Sequence, residues 1–298
     1  MPIRKIAVAL PNSMVFDAKH VRDKTERLGQ IARSLAIFRV TDVLIYSSPF
    51  IEPKEAEREN RIVGNILGYI ESPQYLRKDL FPIHRDLEHV GSLPPLATPH
   101  HLTEEVLARN GQFREAMIYL DHNNDVVADA GLRHPLRVIN FPRESLKDRK
   151  VRRTIRLLEN KEKDRFEAEF VPTEMVESKV YWGFRLKFAN APLGKLADRK
   201  KDFFMVATDR NGIRYDQLPE QSGGPPLTSL LNGKGLMFLF GEPKHNLFEM
   251  LKGVSNVRIN EISDMTVNTV PSSGTRSIRL EEALIVSLAR LLPLFGIA

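Results

Sequence analysis

Two apolar runs in this chain end in residues able to do chemistry. The first, FLFGEP at 238–243, closes on a glycine, a carboxylate and a proline. The second, TVPSSGT at 269–275, is followed at once by Arg276, Arg279, Glu281 and Glu282. Gly241 and Gly274 allow a close backbone approach, and Pro243 and Pro271 stiffen the bends. In parallel α/β sheets ligands sit at the carboxyl ends of strands. Backbone amides at such ends can hold the edge of a ring such as adenine. Two tight strand-to-helix turns with no ligand would read the same way.

Other catalytic templates are missing. There is no GxxxxGK[ST], no GxGxxG and no GxSxG. With no cysteine, thiolate nucleophiles, disulfides and thiolate metal sites are excluded. The eight histidines include the neighbours His100 and His101, but no HxxxH spacing supports a metal, so none is expected.

The elements that must position these ends follow from apolar periodicity. IRKIAVALP (3–11) and VTDVLIYSS (40–48) read as buried strands, with Asp42 the only charge in the second. Residues 18–38 carry a helical stripe through Val21, Leu28, Ile31, Ala32, Leu35 and Phe38. Residues 52–72 read as a second helix, acidic at its start. This βαβα order predicts a parallel sheet with crossover helices. From about residue 100 the texture becomes all-β for roughly 90 residues, with a hairpin around Asp121–Asn124. DRFEAEFVP and KVYWGFRLKF alternate like half-exposed strands. A small OB-like barrel suits this texture. Phe166, Phe170, Tyr181 and Trp182 read as stacking surfaces or as its core.

The α/β rhythm returns near residue 189. A helix is expected over NAPLGKLADRK, strands over 202–212 and 235–243, and a short helix over NLFEMLKG capped by Gly253. VSNVRINEIS and MTVNTVP read as strands. The last helix shows Leu284, Leu288 and Leu291 at i, i+4, i+7, with Pro293 expected to stop it.

At 298 residues with a net charge of +6, the chain permits an anionic partner such as RNA. The segment RESLKDRKVRRTIR (143–156) alone holds seven basic and two acidic side chains. Its Arg143, Lys147, Arg149, Lys150, Arg152, Arg153 and Arg156 form either a solvated face or a phosphate-contacting patch. No apolar run approaches the roughly 20 residues that span a bilayer, so no membrane partner is expected, and the N-terminal run reads as a first strand in a cytoplasmic protein.

Several stretches carry a family resemblance: VALPNSM (8–14), LGQIARSLAIFRVTDVLIY (28–46), SPQYLRKDLFPIHRDLEHVGSLPPLATPHH (72–101), YWGFRL (181–186) and VNTVPSSGTRSIRLEEALIVSLA (267–289). Together they resemble the SPOUT-class (α/β trefoil-knot) RNA methyltransferases with an OB-like domain inserted in the catalytic fold. NTVPSSGTRSIRLEEA is similar to a segment of bacterial uridine-N3 rRNA methyltransferases of that class. QIARSLAIF resembles a segment of SPOUT ribose 2′-O-methyltransferases whose arginine is catalytic, and Arg33 occupies that position.

The resemblance implies a discontinuous catalytic domain, 1–92 plus 187–298, around an inserted RNA-binding domain, 93–186. It implies S-adenosylmethionine as methyl donor, a C-terminal knot, a homodimer and ribosomal RNA as substrate. The cofactor pocket is expected to use backbone groups of Leu239, Phe240, Gly241, Glu242, Thr269, Val270, Pro271 and Gly274, with Ile278 and Leu280 as apolar contacts. Arg33, Arg276 and Arg279 are the candidates for stabilising charge that develops on a uridine when its N3 proton leaves. Glu281 is the candidate for proton removal or for fixing an arginine. A uridine-N3 methyltransferase, a ribose 2′-O-methyltransferase and a non-catalytic RNA-binding or ribosome-assembly protein remain open at this level.

Overall fold

A computed structural model describes residues 5–102, 108–146, 149–160, 165–218, 227–252 and 257–297. The strands in chain order are β1 (Ile6–Pro11), β2 (Asp42–Ser47), β3 (Phe113–Leu120), β4 (Val126–Asp129), β5 (Leu136–Ile139), β6 (Val151–Asn160), β7 (Arg165–Phe170), β8 (Arg185–Pro192), β9 (Phe203–Arg214), β10 (Gly235–Phe240) and β11 (Met265–Asn268). The main helices are α1 (Val21–Ile37), α2 (Pro53–Glu71), α3 (Leu247–Lys252) and α4 (Leu280–Leu294). The chain divides into two compact units, one holding 69–84 and 95–183, the other 4–68, 85–94 and 184–298.

The second unit is built on a six-stranded sheet in the order β11-β9-β10-β1-β2-β8. Every pairing in it is parallel. Its central strand β1, IAVALP, is buried at all six positions, as expected for a strand covered on both faces. Alternate residues Ala7, Ala9, Leu44, Met205, Ala207, Met237 and Leu239 form one core face, closed by Leu247, Met250 and Leu251 of α3. Helix α1 buries Leu28, Ile31, Ala32 and Leu35, and α1 packs on α4, which buries Leu284, Leu288 and Leu291. The expected apolar stripes are therefore the ones that pack.

The first unit contains a closed five-stranded barrel, β3-β4-β5-β7-β6, consistent with an OB-like fold. Strands β3 and β4 form the expected hairpin, and β5 with β7 is the one parallel pair of the barrel. Small and branched residues fill it: Ala116, Ile118, Ala128, Val138, Ile155, Leu157 and Ala168. Phe166 and Phe170 pack partly against this core, while Tyr181 and Trp182 are each 7% exposed.

Four expectations are corrected. KVYWGFRLKF is not one barrel strand: Tyr181–Phe184 is buried non-strand chain, and β8 starts at Arg185 as an edge of the parallel sheet. The helix expected over 190–200 is a 3-10 segment, Leu193–Lys201, because β8 extends through Pro192. Ile259–Ile262 is a helical turn rather than a strand, with the Glu261 carboxylate accepting from the Arg258 N–H at 3.0 Å. Pro293 lies within the last turn of α4 instead of ending it. A proline near a helix end loses only one hydrogen bond, and the Phe295 N–H still reaches the Leu291 carbonyl at 3.3 Å. The expected cap Gly253 and the Gly-Gly-Pro-Pro segment at 223–226 lie outside the described residues.

Candidate active site

The carboxyl ends of β10 and β11, with the middle of β9, surround a cavity of about 450 Å³. Its walls come from Thr208–Arg210, Phe240–Leu247 and Asn268–Leu280, with Ala283 and Ser287 of α4 behind. This is the strand-end position at which open parallel sheets bind ligands. The volume falls in the range of small-molecule sites, about 300–1,000 Å³.

The turn after β10 is fixed by hydrogen bonds. The Glu242 N–H donates to the His245 carbonyl at 3.1 Å. A Cβ on Gly241 would stand 2.9 Å from that carbonyl oxygen, so the turn closes only around a glycine. Asp209 holds the other side, accepting from the Leu247 N–H at 3.1 Å and from the Asn211 N–H at 2.9 Å. Burial pushes the Asp209 carboxyl above its ordinary pKa, and these amide donors offset only part of the rise.

Beside the cavity, three strand ends converge on the Glu242 carboxylate. Ser13, just after β1, donates its hydroxyl to Oε2. Ser48, just after β2, donates to the same oxygen at 2.9 Å and accepts the Phe50 N–H at 3.2 Å. Nδ1 of His245 bonds Oε1. The His245 ring stacks on Phe50 with centroids 3.7 Å apart and planes 16° apart. Below them the Tyr46 hydroxyl donates to the Phe240 carbonyl at 2.6 Å. Burial, with the Glu242 charge adding to it, raises the Tyr46 pKa well above its ordinary value, so this phenol stays a donor. Asn12 is 1% exposed and accepts the Ser48 N–H at 2.9 Å through Oδ1.

A second charged group braces the start of α4. Arg27 donates through Nε to Glu281 at 2.8 Å and through Nη1 to Asp17 at 2.7 Å. Burial opposes the Arg27 charge, but the two carboxylates outweigh it and raise its pKa. Glu281 is therefore committed to Arg27 through Oε1. Glu282 caps the helix, its carboxylate accepting the Arg279 N–H at 2.9 Å.

The expected site residues divide accordingly. Phe240, Gly241, Glu242, Thr269, Val270, Ile278, Leu280 and Arg276 line the cavity. Leu239 is fully buried behind it, its carbonyl accepting from Thr208 at 2.8 Å. Pro271 and Gly274 lie in the same loop but outside the lining, and a Cβ on Gly274 would meet nothing within 4 Å. The Thr269 hydroxyl is hydrogen-bonded to Ser287 at 2.8 Å. Arg279 is exposed at the start of α4 and Arg33 on the outer face of α1.

In the first unit, the basic segment is sorted by the alternation of β6. Arg143, Arg149 and Arg153 are exposed. Lys150 pairs with Asp79 at 2.9 Å and Arg156 with Glu169. Arg152 is turned toward the protein, donating to Glu115 at 2.7 Å and to Glu71 at 2.8 Å. Lys147 lies outside the described residues. Among the described residues no cluster of three or more His, Asp or Glu could hold a metal ion.

Ser13, Ser48, Phe50 and His245 are the site residues that motif reading passed over. The strand-end rule, applied to β1 and β2 as it was to β10 and β11, points to the first two. His245 carries only the signal of standing three residues after Glu242.

The chain is similar to the 28S rRNA (uridine-N(3))-methyltransferase of Homo sapiens, 29% identical over 314 residues, covering 97% of this chain and 78% of that protein. It is 30% identical to the enzyme of the same name from Drosophila melanogaster, over 96% of this chain and 61% of that protein. An uncharacterized protein of Halobacterium salinarum is 28% identical over 96% of this chain and 98% of its own length. The family described as "Putative RNA methyltransferase" matches residues 5–291. With nearly its whole length matched, the chain belongs to this RNA methyltransferase family.

Proposed function

We propose that the protein is an S-adenosylmethionine-dependent methyltransferase acting on N3 of a uridine in ribosomal RNA. The observation that carries this reading is the cavity at the ends of β10 and β11, in a chain aligned over 97% of its length with a uridine-N3 rRNA methyltransferase. The residues present fit the cofactor. Val270, Ile278, Leu280 and Ala283 offer an apolar wall for a purine, and Arg276 and Lys244 offer cations for an amino-acid carboxylate. When bound, S-adenosylmethionine supplies an electrophilic methyl group on a sulfonium.

The protein's own work is positioning and charge control. Glu242 stands at the rim as a fixed negative charge, held by Ser13 and Ser48. Arg276 lines the cavity and is the arginine best placed to meet negative charge on a uridine as its proton leaves. Arg27 locks the start of α4, and with it Ile278 and Leu280, against the loop that carries Ser13. The exposed Arg143, Arg149 and Arg153 supply phosphate contacts.

The same reading includes a SPOUT-type trefoil knot through the segment around 267–280 and a homodimer. The adjacency of the 240–247 and 268–280 segments around one cavity supports the former. Exposed Phe16 and Ile285, 40% and 41% accessible, support the latter. Nucleoside mass spectrometry of ribosomal RNA, from cells with and without the protein, tests the function. Loss of 3-methyluridine in the deletion is expected, whereas loss of a 2′-O-methylated nucleoside would replace this reading with ribose methylation. Unchanged RNA would overturn both.

A further inference from the structure

Methylation at N3 of uridine needs a partner for a proton. The imide N–H holds its hydrogen at neutral pH, and its nitrogen attacks an electrophile only as that hydrogen leaves. Glu281, the carboxylate nearest the start of α4, is paired to Arg27 and 4% exposed. The cavity rim offers something different.

Glu242 accepts from Ser13 and Ser48 on one oxygen and from His245 on the other. A carboxylate receiving three donors is an acceptor only, so Nδ1 of His245 carries its hydrogen toward Glu242. In the neutral ring Nε2 then bears the lone pair. Nε2 has no hydrogen-bond partner among the described residues. The ring cannot swing freely, because Phe50 covers one face at 3.7 Å. Its side chain is 34% exposed, so the free edge is reachable by a base brought to the cavity. A carboxylate fixing one nitrogen of an imidazole, with the other turned to the reactant, is the arrangement of an oriented general base.

We propose that His245, oriented by Glu242, is the general base that takes the N3 proton of the target uridine. This rests on the uridine-N3 reading above. The N3–H bond breaks with the proton passing to Nε2. The N3 electron pair forms the bond to the methyl carbon, and the electron pair of the cleaved carbon–sulfur bond returns to sulfur, leaving a neutral thioether. The imidazolium, stabilised by Glu242, then releases its proton to water from its exposed edge. The other titratable groups around the ring's cavity are Asp209, Arg210, Lys244, Glu249 and Arg276. Asp209 is tied to the amides of Asn211 and Leu247.

The test compares wild type with His245→Ala in single-turnover assays on ribosomal RNA across pH, alongside nitrogen-15 NMR of the wild-type imidazole. The expected result is a fall of about 10²- to 10⁴-fold in rate at neutral pH, narrowing as pH rises and the uridine ionises unaided, with partial rescue by added imidazole. NMR is expected to show the hydrogen on Nδ1 in the neutral ring. A His245→Ala rate equal to wild type at neutral pH, or a pH-independent loss that imidazole does not restore, would overturn the assignment. So would a wild-type ring carrying its hydrogen on Nε2, a readout that needs no active variant. If wild type makes no 3-methyluridine, the uridine reading itself fails; if it does and His245→Ala matches it, only the role of His245 fails.

Discussion

The protein contains two hydrogen-bonded carboxylate clusters that differ in enclosure. Around Glu242, in the second unit, the donors are two serines and a histidine, and one edge of the histidine is open. In the first unit Glu71 and Glu115 share Arg152, and every strong acceptor is taken. Glu115 receives Arg152 at 2.7 Å, the Thr154 hydroxyl at 2.9 Å and the Trp182 indole at 2.6 Å. Glu71 receives Arg152 at 2.8 Å and stands 3.2 Å from His100. Burial alone would raise the Glu71 pKa, yet Arg152 and His100 outweigh it and the pKa is lowered. The comparison separates a charge held ready for a reactant from charges that neutralise one another inside the fold.

The largest effect should come from reversing the hydrogen bond to His245. In Glu242→Gln the amide can donate to Nδ1, which moves the ring hydrogen to Nε2 and removes the base. We expect kcat to fall by about 10²- to 10⁴-fold with little change in KM, and the pH profile to lose its histidine limb. An unchanged pH profile would show that Glu242 only braces the turn.

Arg152→Met should act on stability instead. It leaves Glu71 and Glu115 buried beside one another without their shared cation, at a cost of about 3–5 kcal/mol. Urea unfolding measures it. A loss below about 1 kcal/mol would place Arg152 with the surface ion pairs and dissolve the contrast.

The buried cluster should also make the first unit sensitive to acid. The Glu71 pKa is lowered in the folded state, so its contribution is complete above the ordinary glutamate value of 4.5 and is lost as pH falls through the folded value. Burial, together with the neighbouring His100, lowers the His101 pKa from 6.5 to about 4. The unfolded chain then binds the extra proton between those values, so stability falls as pH drops from 6.5 toward 4. Thermal melts at successive pH values should show both losses, and a melting temperature flat from pH 7 to pH 4 would contradict them.

The smallest effect should come from Arg153, one residue from Arg152 in β6. Arg153→Ala removes an exposed cation, so stability should hold within about 0.5 kcal/mol while the salt dependence of RNA binding loses a slope of about one. If Arg153→Ala destabilises the protein as Arg152→Met does, the division of β6 into an inner and an outer arginine is wrong.

Much of the frame was legible in the amino-acid order, because apolar period is a local property. IAVALP and GLMFLF could only be covered strands, and the stripe of Leu28, Ile31, Ala32 and Leu35 could only be one face of a helix. The loop segments around the cavity were also legible, as glycines and prolines at strand ends and as a family resemblance. Short polar stretches were less so: Ile259–Ile262 reads as a strand by its residues and is a helical turn by its capping hydrogen bond.

What the sequence determined by itself was thus the long apolar strands and the long helices of the parallel sheet, and the two loops that meet at a cavity. Tertiary structure alone decided which side chains share a hydrogen bond. Ser13 and Glu242 are 229 positions apart, and Arg27 and Glu281 are 254 apart. No local pattern carries such a pairing, since it depends on which strands become neighbours in the sheet. The same holds for Arg152 and Arg153: adjacent in sequence and alike in charge, they are turned to opposite sides by the pleat of one strand.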